Sequence, residues 1–299
     1  MQGETGDAEL LTTREVAGLL RIKERKVYDL VAKRQIPCTR VSGKWLFPKM
    51  LIDSWLLEQV TGMPARPGLA ELPDILAGSH DPLLDWAVRE SGSDLAILFD
   101  GSLAGLERLA ERGAVACGVH VIDGDTGTYN LPRIQARLGR EPVVLLEWAW
   151  REQGLIVAAG NPLGIAGMRD LPRVRFAARQ REAGSHLLLE QLLRTEGLSP
   201  EAVRADRPPL RSETEVALAV SEDRADAGLG IAAVARQLGL GFVPLQRERY
   251  DLVVWRRAYF EPPLQRLMAF TQSTAFRDRA RQFAGYDIGT LGRVHFNGP

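Results

Sequence analysis

Apolar positions along the chain fall into two regimes. From Thr12 to the middle fifties they recur at helical spacing: Val16, Leu19 and Leu20 form one stripe, Val27, Leu30 and Val31 a second, and Leu51, Ile52, Trp55 and Leu56 a third. Thr12-Thr13-Arg14-Glu15 has the pattern of a capping box, so the first helix is expected to begin there. Arg21-Ile22 interrupts the spacing, and a second helix is expected over Lys23 to Lys33. Between the second and third stripes, Thr39-Arg40-Val41 and Lys44-Trp45-Leu46-Phe47 read as two short strands around a Ser42-Gly43 turn that glycine permits. Pro48 is expected to open the third helix, proline being favoured at a first helical position.

The second regime follows a Pro/Gly-rich stretch from Thr61 to Pro73, which cannot easily continue a helix and is expected to be a linker. Beyond it, short apolar runs at Leu95 to Phe99, Val115 to Ile122, Val143 to Leu146, Leu155 to Ala159, Val174 to Ala177, Gly241 to Leu245 and Leu252 to Trp255 have strand character. They alternate with helical-period segments such as Leu83 to Arg89 and Ser185 to Thr195. This alternation predicts an α/β architecture with mainly parallel sheets. The expected organisation is a head over residues 10–58, a linker over 59–73 and a larger domain over 74–299.

Composition is that of a folded globular protein, with 45% apolar and 25% charged residues, and it excludes a wholly disordered chain. The formal net charge of zero hides an asymmetry. From Thr12 to Glu58 ten basic residues face five acidic ones, so the head carries +5 and the rest −5. A basic small segment on an acidic large one suits a polyanion-binding head. Cys38 and Cys117 lie far apart without ligand spacing, so no structural metal or cofactor is expected. No signal-like or transmembrane run is apparent, and a cytoplasmic protein without a membrane partner is expected.

Within the head, Leu11-Thr12-Thr13-Arg14-Glu15-Val16-Ala17-Gly18-Leu19-Leu20, Val27-Tyr28, Ile36-Pro37 and Ser42-Gly43-Lys44-Trp45 resemble the excisionase/MerR-type winged helix-turn-helix family. The resemblance implies a second helix in the major groove of double-stranded DNA and a wing against backbone or minor groove. By position, Arg25 and Lys26 are candidates for base edges. Tyr28, Lys33, Arg40 and Lys44 are candidates for phosphates, and Lys23 lies on the same outer face. Such heads usually act in pairs, which implies a homodimer or higher oligomer. The competing reading is a three-helix protein-interaction module.

In the larger domain three turns place small or hydroxyl residues just before a helix, where unpaired N–H groups and the helix dipole favour an anion. These are Gly78-Ser79-His80-Asp81 with Asp81 as N-cap, Gly101-Ser102, and Ala183-Gly184-Ser185. Together with Tyr129-Asn130-Leu131-Pro132, Arg151-Glu152-Gln153-Gly154-Leu155, Gly160-Asn161-Pro162 and Ala225-Asp226-Ala227-Gly228-Leu229-Gly230, they resemble the periplasmic-binding-protein-like domain, over roughly Leu72 to Trp255. That resemblance implies a type II, two-lobed α/β fold whose cleft closes on a ligand. Relatives of this branch include molybdate- and tungstate-binding proteins, so the implied ligand is a small tetrahedral oxyanion or something derived from one. Ser79, Ser102 and Ser185 are the implied contacts, with His80 and Arg179 as further donors and His120 lining the same cleft. For each histidine a packed or surface structural role is the competing reading.

One departure bears on ligand identity. After Arg179-Gln180 the family pattern runs through glycines to an arginine, whereas this chain has Glu182 at a glycine position and His186 at the arginine position. A carboxylate there opposes an anion unless it points outward. The reading that emerges is a ligand-responsive transcriptional regulator. Its alternatives are a regulator sensing molybdenum cofactor or another organic anion, and an architectural or excision factor with no small ligand. An enzyme is not expected, because the chain has no P-loop, no GxGxxG, no metal-ligand cluster and no recognisable Ser/His/Asp order.

Overall fold

The computed structural model describes residues 10–33, 35–41, 43–58, 72–124 and 126–299. The chain divides into two compact units, Met1–Glu71 and Leu72–Pro299. Most of the expected linker, together with Arg34 and Ser42, lies outside the described residues.

The head comprises β1 (Leu10–Thr12), α1 (Thr13–Leu20), α2 (Glu24–Ala32), β2 (Thr39–Val41), β3 (Lys44–Pro48) and α3 (Lys49–Glu58). The capping box forms as expected: Thr12 N donates to Glu15 Oε2 at 2.7 Å, and Glu15 N to Thr12 Oγ1 at 3.4 Å. Helix α1 ends where Arg21 turns left-handed at φ 52°. Val16, Ala17, Val27, Val31, Ile36, Phe47 and Ile52 form the small core, with Leu20, Leu30, Trp45, Trp55 and Leu56 packed around it. Three details differ from the sequence reading. Leu19 and Leu51 are exposed rather than inward, since a helix of 8–10 residues buries only a narrow stripe. Pro48 ends β3 and does not open α3. A short β1 pairs antiparallel with β3, Leu11 opposite Phe47, and was missed because three residues carry almost no periodic signal.

The larger unit runs β4 (Ile75–Gly78), α4 (Pro82–Glu90), β5 (Ala96–Leu98), α5 (Ser102–Ala110), β6 (Ala116–Val119), α6 (Leu131–Leu138) and β7 (Val143–Val157). It continues β8 (Phe176–Arg179), α7 (Gly184–Thr195), β9 (Ala205–Leu210), α8 (Glu213–Ser221), β10 (Ala227–Ile231), α9 (Ala232–Gln237) and β11 (Gly241–Trp255). After these come α10 (Arg256–Tyr259), α11 (Pro262–Phe270), α12 (Thr274–Gln282), β12 (Tyr286–Asp287) and β13 (Val294–Asn297). The main strand order is β5-β4-β6-β11-β7-β10-β8-β9, with β12 and β13 also on β7.

Parallel pairs β4/β5 and β4/β6 build a first lobe, and β8/β9 and β8/β10 a second. Strands β7 and β11 run antiparallel through both lobes, from Val143 opposite Trp255 to Val157 opposite Gly241. The sheet is therefore mixed. Each crossover strand had read as two separate apolar runs, because its middle is polar: Glu147, Arg151 and Gln153 on β7, Gln246, Arg247 and Glu248 on β11. Those polar middles lie where the lobes meet, so the break in hydrophobicity marks the cleft. Separate cores back the lobes, one around Leu76, Leu84, Leu109, Trp148 and Val253, the other around Leu155, Phe176, Leu188 and Leu229. The C-terminal Leu264, Leu267 and Phe276 join the first core.

Candidate functional site

Ser79 leaves β4 through Gly78, whose φ of +108° only glycine adopts readily and whose Cβ position would meet the Gly118 carbonyl oxygen at 2.3 Å. The turn is pinned by Ser79 N donating to that same carbonyl at 2.8 Å. From there a line of buried polar groups crosses the unit. Ser79 Oγ is 2.8 Å from His120 Nε2, and His120 Nδ1 is 2.9 Å from Glu248 Oε2. The other Glu248 oxygen accepts from Arg151 Nη2, and Arg151 Nη1 donates to Asp81 Oδ2 at 2.9 Å. Asp81 also accepts from Leu84 N at 2.7 Å, as the N-cap of α4, from Trp148 Nε1 at 3.1 Å and from the Tyr286 hydroxyl at 2.5 Å.

Each of the four carboxylate oxygens thus accepts at least one hydrogen bond inside the protein, which is how buried charges persist, while Arg151 Nε between them is left without a partner. Burial alone would raise the Glu248 carboxyl, but Arg151 and His120 outweigh it and hold it down to about 2. Tyr250 stacks on the His120 ring at 5.9 Å and donates its hydroxyl to the Ser79 carbonyl at 2.6 Å. Burial pushes that phenol well up, with Asp81 adding to the shift. Behind His120, Val121 N donates to Asn130 Oδ1 at 2.6 Å, which fixes the loop that carries the imidazole.

The second lobe meets this line at the start of α7. A Cβ at Gly184 would stand 2.5 Å from the His120 carbonyl oxygen, so the helix N-terminus presses on His120. Leu103 N, in the first turn of α5, donates to the Glu182 carbonyl at 3.2 Å across the lobes. The lobes are closed on one another here. Ser185, 1% exposed, keeps a hydroxyl with no hydrogen-bond partner. Ser102 Oγ accepts from His120 N at 3.2 Å.

The six residues singled out for the ligand therefore separate. Ser79, Ser102, His120 and Ser185 lie on the elements that converge at the lobe contact. Arg179 is buried, but its guanidinium donates to the Leu210 and Arg211 carbonyls at 3.2 and 2.9 Å, tying β8 to β9. His80 is half-buried with its ring edge-on to Phe99 at 5.3 Å. The Glu182 side chain is exposed, and His186 turns to Glu190 at 3.4 Å, so neither departure from the family pattern puts a charge on His120. Arg151, Glu248, Tyr250 and Tyr286 were not singled out. For Arg151 the available signal was the Arg151-Glu152-Gln153-Gly154-Leu155 motif; Glu248 had none, since the polar middle of β11 hides it as a strand.

In the head, Lys23, Arg25, Lys26, Tyr28, Lys33, Arg40 and Lys44 are all exposed. Arg40 sits over the Trp45 ring at 5.3 Å and its Nε donates to the Gly43 carbonyl at 3.4 Å, so the wing orients that cation. Among the described residues no group of three or more His, Cys, Asp or Glu side chains could hold a metal ion, and no helix is long and apolar enough to cross a membrane.

The model of the PBP superfamily domain matches residues 85–272, most of the two-lobed unit just described. The chain belongs to the PBP superfamily. A second model, helix-turn-helix domain, matches residues 10–60 of this PBP superfamily member, so its head is a helix-turn-helix domain. The chain is 28% identical over 304 residues to "Uncharacterized protein YvgK" of Bacillus subtilis (strain 168), covering 95% of this chain and 96% of that one. A shorter relative, "Uncharacterized protein in ferredoxin 2Fe-2S gene 5'region" of Clostridium pasteurianum, is 28% identical and covers 36% of this chain and 96% of its own length. Among solved structures, PhnD1 of Prochlorococcus marinus (MIT 9301) with methylphosphonate matches at 13% identity and TM-score 0.49, covering 74% of this chain and 92% of that one. A mutant OxyR of Corynebacterium glutamicum, bound to hydrogen peroxide, matches at 14% identity and TM-score 0.47, covering 90% of each.

Proposed function

We propose that this chain is a one-component transcriptional regulator that binds double-stranded DNA through residues 10–58 and a small tetrahedral oxyanion of the molybdate or tungstate class in the cleft of residues 74–299. The observation that carries the ligand reading is the unpartnered, fully buried Ser185 hydroxyl at the start of α7, on the helix whose N-terminus presses against His120. A hydroxyl left unsatisfied in a buried place is costly, and an oxyanion between the lobes would accept from it and from the adjoining helix N-termini. Ser79 and Ser102 supply further hydroxyls from the opposite lobe. The closeness of the lobes at Leu103–Glu182 and Gly184–His120 favours an occupant of one tetrahedral ion's size over a large organic anion or molybdenum cofactor.

Arg179 gives Nε and Nη2 to backbone carbonyls and so holds β8 and β9 in place, its Nη1 serves in this reading as the further donor to the anion, and His80 stays at the margin. In the head, Arg25 and Lys26 reach base edges. Lys23, Tyr28, Lys33, Arg40 and Lys44 meet phosphates. The regulator works as a cytoplasmic homodimer, and cleft closure changes the spacing of paired heads. Operator DNA must then change oxyanion affinity by the same factor as the oxyanion changes DNA affinity.

Calorimetric titration of the full chain with molybdate, tungstate, sulfate and phosphate tests the ligand. Binding of at least one with a matching thermal shift is expected, and no heat and no shift with any of them overturns the oxyanion reading. A gel shift with and without the bound ion tests the coupling. DNA binding indifferent to the ion would make the chain an architectural or excision factor.

A further inference from the structure

The polar middles of the two crossover strands are fastened by a segment distant in sequence. Glu152 N of β7 donates to the Gly285 carbonyl at 2.9 Å, and Arg247 Nη2 of β11 donates to Asp287 Oδ2 at 2.8 Å. A Cβ at Gly285 would stand 2.8 Å from Glu152 Cβ and 3.2 Å from Ala232 Cβ, so the backbone there lies directly against β7 and α9. Phe283 and Tyr286, with ring centroids 5.4 Å apart, pack both on the core of the first lobe and on a cluster of the second that includes Ile156, Ile231 and Val234. Residues 283–287 thus form a strap that engages both lobes, and the Tyr286 hydroxyl ties it to the buried line at Asp81.

The same strap lines a cavity of about 450 Å³ that is open to solvent and shares no lining residue with the lobe contact. That volume is within the range of small-molecule sites. Helix α12 lines it with Arg277 and Arg281, which lie one turn apart. The charges there do not cancel. Arg281 is held by Asp278 at 2.6 Å, while Asp287, the carboxylate among the lining residues, is occupied by Arg247 and by Gly289 N at 2.9 Å. Arg277 is exposed, and its guanidinium has no ion pair or hydrogen bond among the described residues. Tyr286 and Ile288, both half-buried against the first core, add apolar surface beside it. A guanidinium free of carboxylates next to an apolar wall suits a carboxylate carried on a small apolar body.

We infer that this cavity is a second binding site, for a small organic carboxylate with an apolar body, and that its occupant favours lobe closure through Tyr286. The strap has both fastenings made and both cores engaged while the lobes are closed on one another, so an occupant that braces it stabilises that arrangement. The path to the cleft is contiguous: Tyr286 to Asp81, Asp81 to Arg151, Arg151 to Glu248, and Glu248 through His120 to Ser79. The site itself stands apart from the oxyanion reading above; its effect on the cleft rests on that reading.

Calorimetric titration of the full chain with 2-naphthoate tests the site, with 2-naphthalenemethanol as the uncharged counterpart. Saturable naphthoate binding with Kd below about 1 mM is expected, with the alcohol at least about tenfold weaker. Arg277→Ala should weaken naphthoate about tenfold, and Ser185→Ala in the cleft should leave it unchanged. The coupling is read by titrating whichever of molybdate, tungstate, sulfate and phosphate binds most tightly, with and without saturating naphthoate. Naphthoate should tighten that ion about fivefold, and Tyr286→Phe, which keeps the ring and removes the hydroxyl, should bind naphthoate yet abolish the gain. No naphthoate binding up to about 10 mM, or binding lost in Ser185→Ala and kept in Arg277→Ala, overturns the site. Equal ion affinity with and without naphthoate, or a gain that survives Tyr286→Phe, overturns the coupling through Tyr286. Failure of all four ions to bind overturns the oxyanion reading and the coupling with it, while naphthoate and Arg277→Ala still decide the site.

Discussion

Lys23, Arg25, Lys26, Tyr28, Lys33, Arg40 and Lys44 of the head stand in solvent, whereas Ser79, Ser102, His120, Arg179 and Ser185 of the larger unit are buried. The two sets are suited to different recognition physics. Exposed cations act through water, are screened within about 10 Å at 0.1 M salt, and add up over many phosphates. Buried hydroxyls and imidazoles act in a medium of low dielectric with their geometry already fixed, so each one counts. Single substitutions should therefore be severe around the cleft and mild, cumulative and salt-dependent in the head.

The contrast is tested hardest at Arg151, which is 0% exposed and the shared partner of Asp81 and Glu248. Arg151→Met leaves two buried carboxylates without their cation, and a loss of about 3–5 kcal/mol is expected from denaturant unfolding. A loss below about 1 kcal/mol would mean that the line is solvated like the head, and the contrast would fail. Restoring part of the loss with Glu248→Gln in the same chain would identify the uncompensated charge as the cause.

Two glycines separate folding from lobe closure. At Gly78 an added Cβ meets the Gly118 backbone within the first lobe, at positive φ, so Gly78→Ala should lower the stability of the ligand-free protein by at least about 1–3 kcal/mol. At Gly184 the added Cβ meets His120 across the lobes. Parting the lobes relieves that clash, so Gly184→Ala should leave ligand-free unfolding nearly unchanged while weakening oxyanion binding about tenfold to a hundredfold. Equal destabilisation of the free protein by both would show that the lobes do not separate.

Acid should act on the buried line in a definite direction. The Glu248 carboxyl is depressed from 4.5 to about 2 in the fold, so its contribution is complete above about pH 4.5 and is lost as pH falls toward 2. Asp251 has the opposite sign, since burial raises its carboxyl and protonation then favours the fold. Thermal midpoints between about pH 5 and 2.5 should fall more steeply for the unaltered chain than for Glu248→Gln. Parallel curves would remove Glu248 from the account.

Much of this was legible in the residues, and what was hidden had a physical reason. The Thr12 capping box, the Val27 and Val31 stripe, the wing strands and the three hydroxyl-bearing turns are local, so spacing alone revealed them. The crossover strands were not legible as such, because Arg151, Gln153 and Glu248 break the apolar run that marks a buried strand. Pairing of Arg151 with Glu248 spans 97 residues, and the Tyr286 contact to Asp81 spans 205. No local pattern carries such contacts. Arg179 shows another limit: its charge suited an anion, but spacing gave no sign that its Nε and Nη2 would also hold the Leu210 and Arg211 carbonyls.

The smallest effects belong to the head, where Arg25 and Lys44 sharpen the contrast from the other side. Arg25, exposed on α2, is the candidate for a base edge, and Arg25→Ala should cost about 1–3 kcal/mol on one operator sequence and relax preference at one base pair. Lys44 opens β3 on the wing and is also exposed, which suits a phosphate. Lys44→Ala should leave thermal unfolding unchanged and weaken binding to operator and unrelated DNA alike. It should also reduce the slope of log affinity against log salt by about one per head. These follow from one property, a mobile cation in water that releases one counterion, and salt titration of binding to two unrelated duplexes measures them together. If Lys44→Ala instead weakened one sequence alone with the salt slope intact, the wing would be reading bases. The exposed set would then owe its effect to fixed geometry, as the buried set does.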